Sequence, residues 1–243
     1  MSNFPNTRWT TVVNPAALSG DANACAGANE ALNALCQVYW FPIYSYARSW
    51  GKTHHQAEDL TQTFFQELVE GQWVARADRS QTKFRTFLLT HFKYVLSNEH
   101  RMQQAEKRGA QFEHLPIDFE GADEHFQALA GDSSDPTAAY DRAWAEQVVD
   151  QTLRLLDREY SENNPTLPFD ALRPYLPGGA ALARFSYEDL EARHGVKMEA
   201  IRQRVSRLNK RFRELLVGIV ADTVSDPAQV DEELKSLVAA MVA

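Results

Sequence analysis

The sequence predicts an all-α protein built from two small helical domains, and three observations lead to this prediction. Apolar residues recur at helical spacing along most of the chain, and no run alternates apolar with polar residues as a half-buried strand does. A segment rich in acidic residues, with proline and glycine, interrupts these helices at about 110–139 as a linker would. A short helix, a glycine and a basic amphipathic helix follow one another over residues 185–216.

These observations divide the 243 residues into four parts. We expect an N-terminal domain over 1–109, an acidic linker over 110–139, a C-terminal domain over 140–217 and a helical extension over 218–243. A chain of this length is long enough for two ordinary hydrophobic cores.

The N-terminal domain contains three apolar-periodic segments. Ala31–Trp50 is rich in aromatic residues and is interrupted by Pro42, and Lys83–Arg108 is long and basic on its outer side. Between them, Gln56–Gly71 places four apolar residues at helical spacing, and its glycine is a plausible helix stop. We expect these four side chains to be buried: Ala57, Leu60, Phe64 and Leu68.

Charge is distributed unevenly along a chain whose formal net charge is −8. Residues 111–170 contain fourteen acidic and three basic residues, whereas 76–108 contains eight basic against three acidic, and 197–213 seven against one. Two basic stretches separated by an acidic connector indicate two DNA-facing surfaces. The alternative is an ordinary solvated surface.

Several classes of protein are disfavoured. No apolar run reaches the length of a membrane span, and the N terminus does not have the pattern of a signal peptide. Cys25 and Cys36 match no zinc or redox spacing. No phosphate-binding glycine loop or nucleophile elbow is present. We therefore expect a cytoplasmic protein that is not an enzyme, binds no metal or other cofactor and does not contact a membrane.

Residues 185–216 have the organisation of a helix-turn-helix. Ser186 and Asp189 form a capping-box pattern at the start of the first helix, and Gly195 can adopt the positive φ of a tight turn. Lys197 stands where a capping serine or threonine is usual before the second helix. The second helix carries one apolar stripe: Ile201, Val205, Leu208, Phe212 and Leu215.

The face opposite this stripe has the composition of a recognition helix. N-terminal residues of such a helix reach base edges in the major groove, and later lysines and arginines reach phosphates. Base contacts are predicted for Glu199, Arg202, Gln203 and Ser206, and phosphate contacts for Arg207, Lys210, Arg211 and Arg213. The alternative is a solvated basic helix that packs on a neighbour.

A second outward face remains on Gln56–Gly71 after the buried stripe is assigned. It carries Glu58, Gln62, Phe65 and Val69, with Asp59 and Thr63 at its edges. An aromatic residue beside acids and an amide indicates a protein contact. Periodicity alone equally allows a second buried side of a central helix.

Three segments together resemble sigma-70-type RNA polymerase sigma factors. AEDLTQTFF at 57–65 looks like region 2.2, KFRTFLLTHFKYVLSNEHR at 83–101 is similar to regions 2.3 and 2.4, and 185–216 resembles region 4.2. Their order and spacing match the two-domain extracytoplasmic-function group (group 4), over about 28–109 and 140–217. The resemblance implies a transcription initiation factor that binds core RNA polymerase, through the β′ clamp helices and the β flap, and promoter DNA. An anti-sigma factor is a further partner that such a protein can have.

The resemblance also implies roles for residues of the N-terminal domain. The β′ clamp contact would be made by Glu58, Asp59, Gln62, Phe65 and Val69, with Thr63 standing where a glutamate is common. Thr90 and His91 replace the tryptophan pair of primary factors, so a flipped −10 base would lie in the loop Trp73–Lys83 instead. Contacts to −10 DNA would come from Arg76, Arg79, Lys83, Arg85, Lys93, Asn98, Arg101, Lys107 and Arg108. The helix-turn-helix would read the −35 element.

Two other functions remain open from the residues themselves. A free-standing helix-turn-helix regulator would explain 185–216 but would leave the other two segments unused. An enzyme would need more than His54, His55 and Glu58, a His-x-x-Glu pattern whose histidines we interpret as solvent-exposed.

The extension adds a hypothesis about inhibition. Its acidic residues would bind the basic helices and keep them from DNA. Deleting Val220–Ala243 should therefore raise DNA binding in the absence of polymerase. These residues are Asp222, Asp226, Asp231, Glu232 and Glu233.

Overall fold

A computed structural model describes residue 11 and residues 22–69, 83–97, 117–129, 135–162, 166–179 and 185–242. Side chains are described from residue 30 in the first helix and up to residue 68 in the second. The α-helices are α1 (Ala22–Ser49), α2 (His54–Val69), α3 (Phe84–Ser97), α4 (Ala122–Leu129), α5 (Pro136–Ser161), α6 (Phe169–Leu172), α7 (Tyr187–His194), α8 (Met198–Ala221) and α9 (Val230–Val242).

The all-α prediction is confirmed for the described residues, which contain no β-strand. Short 3-10 turns lie at Arg173–Tyr175 and Pro227–Gln229, and Lys83 forms an isolated antiparallel bridge with Val224. None of the described helices is long and apolar enough to cross a membrane.

The chain folds into two compact units that differ from the four predicted parts. Unit 1 comprises residues 1–145 and 221–243, and unit 2 comprises 146–220, so the divisions fall inside α5 and α8. The predicted extension is therefore part of unit 1. The backbone N–H of Phe84 donates to the carbonyl of Thr223 over 2.9 Å, and Leu237 of α9 is buried.

The core of unit 1 is aromatic and surrounds α1. Pro42 was predicted to interrupt this helix, but α1 continues through it. Proline removes one backbone donor and costs a helix interior about 3 kcal/mol. Phe41, Ile43 and Tyr44 beside it are buried, and packing of such large side chains offsets that cost.

Part of the predicted acidic linker is structured. Residues 117–129 include α4, whose His125 ring stacks on Phe41 with centroids 4.2 Å apart. Arg48 of α1 forms an ion pair with Asp123 at 2.6 Å. The aromatic residues among the acids explain this order, because they supply apolar surface that a solvated linker lacks.

Unit 2 contains the second half of α5 together with α6, α7 and most of α8. A tight turn follows the 3-10 segment, in which Gly178 has a φ of +81°. A Cβ atom on the next residue, Gly179, would lie 2.1 Å from the carbonyl oxygen of Arg173. This turn therefore requires glycine for both backbone conformation and space.

Candidate nucleic-acid interface

The helix-turn-helix of unit 2 forms with the predicted local structure. Ser186 accepts a hydrogen bond from the Asp189 backbone N–H at 3.0 Å, while its own N–H donates to the Asp189 carboxylate at 3.0 Å. Hydrogen bonds from the Ser186 hydroxyl, at 2.8 Å, and from the Ser186 N–H to the carboxylate hold the pKa of Asp189 below its usual value. Gly195 then takes a left-handed conformation with a φ of +66°. The capping box and the glycine turn are both confirmed.

The start of α8 is capped from another helix. The backbone N–H of Met198 donates to the Glu191 carboxylate of α7 at 3.1 Å. A carboxylate at a helix N terminus satisfies an orphan donor and favours the helix dipole. Glu191 therefore supplies the cap that Lys197 cannot, and it ties the two helices of the motif together.

The apolar stripe of α8 is confirmed. Ile201, Val205, Leu208 and Phe212 are buried, and Leu215 is half-buried at the end of the stripe. Asn209 adds a polar tie, since its side-chain amide donates to the carbonyl of Val205 at 2.9 Å. One side of α8 is thus fixed in unit 2 by packing.

The opposite side of α8 is exposed. All eight predicted DNA contacts lie there, which confirms their accessibility and leaves their role in DNA binding a prediction: Glu199, Arg202, Gln203, Ser206, Arg207, Lys210, Arg211 and Arg213. The guanidinium of Arg202 is 5.7 Å from the Tyr187 ring of α7. That contact orients an arginine at the position expected to meet a base edge.

Arg211 is already paired in unit 2. Its Nε and Nη2 atoms both donate to the carboxylate of Glu159 at 2.8 Å, and Nη1 donates to Glu214 at 3.0 Å. The hydrogen bond from Arg211 lowers the pKa of Glu159, and the pairing raises the pKa of Arg211. A phosphate that binds Arg211 must compete with Glu159. Sequence reasoning missed Glu159 because it lies 52 residues away in α5.

A cavity of about 390 Å³ adjoins this pair. Arg204, Arg207 and Arg211 line it from α8, and Glu159 and Tyr160 line it from α5. The half-buried Arg204 was not among the predicted contacts, since it lies between the apolar stripe and the outer face. It extends the positive surface of α8 toward α5.

Two of the residues predicted to hold −10 phosphates are enclosed in unit 1. Lys83 Nζ lies 2.8 Å from Glu232 and 3.2 Å from Glu233, and its side chain is 15% exposed. Arg85 is 14% exposed and donates to Glu233 through Nε at 2.8 Å and Nη2 at 3.3 Å. The prediction that these two side chains face DNA is wrong for this structure, because both form ion pairs with the buried Glu233 of α9.

Arg85 has further partners on the first part of α5. It forms an ion pair with Asp141, and its guanidinium lies 4.5 Å over the Trp144 ring. Hydrogen bonds and charge from Glu233, aided by Asp141, raise the pKa of Arg85, although burial acts in the opposite sense. Arg85 therefore connects α3 with α5 and α9 inside unit 1.

Most of the other predicted −10 residues lie outside the described part of the chain. Lys93 is described, is exposed on α3 and lies 5.7 Å from the Tyr46 ring. Thr90 is exposed, and His91 is half-buried. The undescribed predictions are the loop before Lys83, with Arg76 and Arg79, and Asn98, Arg101, Lys107 and Arg108.

The predicted polymerase face of α2 is narrower than expected. Ala57, Leu60, Phe64 and Leu68 are buried as predicted. Phe65 is also fully buried, its ring 5.3 Å from that of Phe64, so its predicted outward position is wrong. For this residue the second buried side of α2 is the correct interpretation. Asp59 is exposed, Glu58, Gln62 and Thr63 are half-buried, and the side chain of Val69 is not described.

Comparison of the chain with protein-family models, with curated proteins and with solved structures gave no match. The function of the chain is therefore inferred from its own residues and from the three segments that resemble sigma factors.

Proposed function

We propose that this chain is a sigma-70-type transcription initiation factor of the extracytoplasmic-function group. It binds core RNA polymerase and directs it to promoters by reading −10 and −35 elements. The observation that carries the proposal is the exposed face of α8, which presents Arg202 and Gln203 near its N terminus and cations further along. Arginine and glutamine make the bidentate contacts that distinguish guanine and adenine in the major groove.

The opposite face of α8 supports the same interpretation. Ile201, Val205 and Phe212 are buried, so the helix cannot rotate its basic side away from solvent. The Glu191 cap and the Gly195 turn fix the angle between α7 and α8. A helix whose apolar side is buried and whose polar face is exposed has the geometry that a helix-turn-helix uses in the major groove.

Polymerase docking is assigned to the accessible part of α2. Asp59 is exposed and Glu58 and Gln62 are half-buried, whereas the buried Phe65 is removed from the contact surface. The chain's net charge of −8 makes its own affinity for DNA weak. Tethering to polymerase raises the effective concentration of α8 at the promoter, which offsets this weakness.

Reconstitution with core RNA polymerase tests the proposal. We expect the full chain to co-elute with the core enzyme and to give run-off transcripts from a discrete set of genomic promoters. Binding to a palindromic duplex, without any polymerase contact, would instead identify the free-standing regulator. Activity in the complete absence of promoter selectivity would also contradict the proposal.

Base recognition by α8 gives a prediction of its own. In the reconstituted complex, Arg202→Ala should reduce discrimination at one −35 base pair by about 1–3 kcal/mol, or about 5- to 150-fold. Lys210→Ala, on the same exposed face, is the matched control. It should weaken binding to all promoter sequences equally. It should also reduce the slope of log affinity against log salt by about one unit. Competition binding with promoters altered at single bases measures the affinity and the base discrimination of both proteins. The same loss of discrimination in Arg202→Ala and Lys210→Ala would refute the assignment of Arg202.

The Glu159 pair gives a second prediction. Glu159→Gln removes a negative charge beside the DNA face and releases Arg211 for a phosphate, so promoter affinity should rise. The plot of log affinity against log salt should steepen by about 0.9. Asp150→Asn is the control. Asp150 pairs with Arg154 on α5 and, among the residues that the structure describes, with none of α8. Unchanged affinity and slope for Glu159→Gln would show that Arg211 does not meet DNA.

A further inference from the structure

The first turn of α2 brings together three side chains with metal-ligating atoms. Nε2 of His54 lies 3.4 Å from one oxygen of Glu58, and Nδ1 of His55 lies 3.2 Å from the other. Each residue offers one ligand atom, and these three atoms all lie within 4.8 Å of one another. Residues one turn apart on a helix share a face, which explains why His54 and Glu58 meet.

The orientation of His54 is fixed by its neighbours. Its Nδ1 lies 2.8 Å from the hydroxyl of Tyr44, which in turn donates to Asp123 at 3.5 Å. A hydroxyl that donates to a carboxylate can accept from the imidazole N–H. When His54 carries its proton on Nδ1, the lone pair of Nε2 is left to bind an ion placed between this nitrogen and Glu58. Histidine ligands of metals are held in this way, with the second ring nitrogen donating to a protein acceptor.

The donor atoms lie near the separations of a zinc site. Zinc lies about 2.0–2.2 Å from imidazole nitrogen and carboxylate oxygen, so tetrahedral ligands are about 3.4 Å from each other. His54 and His55 each lie near this distance from a different oxygen of Glu58, at 3.4 and 3.2 Å. Because the three donor atoms are within 4.8 Å of one another, side-chain rotation is enough to bring them around one ion. His55 is 88% exposed in its side chain, so its ring can turn either nitrogen toward an ion at little cost.

We propose that His54, His55 and Glu58 bind a divalent transition metal of the zinc class. Two imidazoles and one carboxylate suit Zn²⁺, whereas Mg²⁺ and Ca²⁺ require a shell of oxygens. Three protein ligands leave the fourth position to water. The sequence interpretation of these histidines as merely solvent-exposed rested on the absence of further ligands along the chain, and it did not include Tyr44 and Asp123.

Metal binding has a consequence that rests on the proposed function. Glu58 is one of the side chains assigned to polymerase docking. As a metal ligand it would no longer be available to the β′ clamp helices, so zinc would weaken docking.

Calorimetric titration of the untagged full chain with ZnCl₂ tests the site itself. We expect one-site binding that His54→Gln and Glu58→Gln each weaken at least tenfold, and no heat with MgCl₂. Tyr44→Phe, which keeps the ring and removes the orienting hydroxyl, should weaken it about 10- to 100-fold. The control is His194→Gln in α7, which should bind zinc like the unaltered chain. Circular dichroism verifies that each variant is folded. Absence of zinc binding, or binding that survives His54→Gln/His55→Gln, would overturn the site.

A separate measurement tests the consequence for docking. Affinity for core polymerase is compared with and without zinc for the unaltered chain and for His54→Gln/His55→Gln. We expect zinc to weaken docking of the former and not of the latter. An equal effect on both, or none on either, would refute the consequence and leave the titration result standing. Failure to bind polymerase in any condition would refute the proposed function alone.

Discussion

Replacing Glu233 by alanine is expected to lower the free energy of unfolding of unit 1 by about 3–5 kcal/mol. Its side chain is fully buried and accepts hydrogen bonds from Arg85 through both carboxylate oxygens, with Lys83 3.2 Å away. Alanine would leave Arg85, itself 14% exposed, with much of its charge uncompensated. The penalty comes from that desolvated cation, more than from the attraction that is lost.

The adjacent Glu232 provides a matched control for this prediction. Its side chain is 69% exposed and also pairs with Lys83. Exposed pairs contribute about 0–1 kcal/mol, so Glu232→Ala should have little effect. Urea denaturation followed by circular dichroism measures both variants. A loss below about 1 kcal/mol for Glu233→Ala would show that the network does not stabilise unit 1.

The position of Glu233 changes what is expected from deleting the acidic tail. The sequence led to the hypothesis that removing Val220–Ala243 frees basic surface for DNA. Glu232 and Glu233 do cover Lys83 and Arg85. The same segment, however, contributes the buried Val224 and Leu237 to unit 1. Its removal is therefore expected to destabilise unit 1 rather than to release a folded DNA-binding surface.

Replacing Gly179 by alanine is expected to destabilise unit 2 by about 3 kcal/mol or more. The new Cβ would lie 2.1 Å from the carbonyl oxygen of Arg173 and 3.0 Å from the Cα of Pro174. Both atoms belong to the backbone, so no side chain can move aside, and the 3-10 segment itself must shift.

Gly218 is the control for the same substitution. It lies inside α8, and nothing would be within 4 Å of an added Cβ. Alanine in place of a helical glycine stabilises by about 0.5–1 kcal/mol, so Gly218→Ala should raise stability. The midpoint temperatures of thermal unfolding should shift in opposite directions for the two variants, down for Gly179→Ala and up for Gly218→Ala. Equal or reversed shifts would mean that the turn at Gly179 adapts to a side chain.

The sequence predicted the local structure of the candidate site well. Ser186, Asp189 and Gly195 cap or end a helix through hydrogen bonds and backbone conformations that involve residues only a few positions away. Such local interactions can be predicted from the sequence. The apolar stripe of α8 was likewise predictable, because a helix of period 3.6 fixes which residues share a face. Zinc-class ligation by His54, His55 and Glu58 was visible only as an incomplete pattern.

Burial and long-range pairing were the parts that periodicity did not predict. Phe65 lies on a side of α2 that a single stripe leaves exposed, but a central helix is covered on more than one side. Lys83 and Arg85 were predicted to contact phosphates because the resemblance to sigma factors implies that role for this segment. Their partners are about 150 residues distant, and sequence spacing contains no information about such contacts.

By itself the sequence determined that the chain is helical, where the turn of the helix-turn-helix lies and which side of α8 carries the cations. Those properties depend on backbone propensity, capping and helical period, all of which act over a few residues. Only the tertiary structure decided that residues 221–243 belong to unit 1, that Glu233 neutralises Arg85 and that Glu159 occupies Arg211. The physical reason is that desolvation and ion pairing depend on which distant segments meet in space.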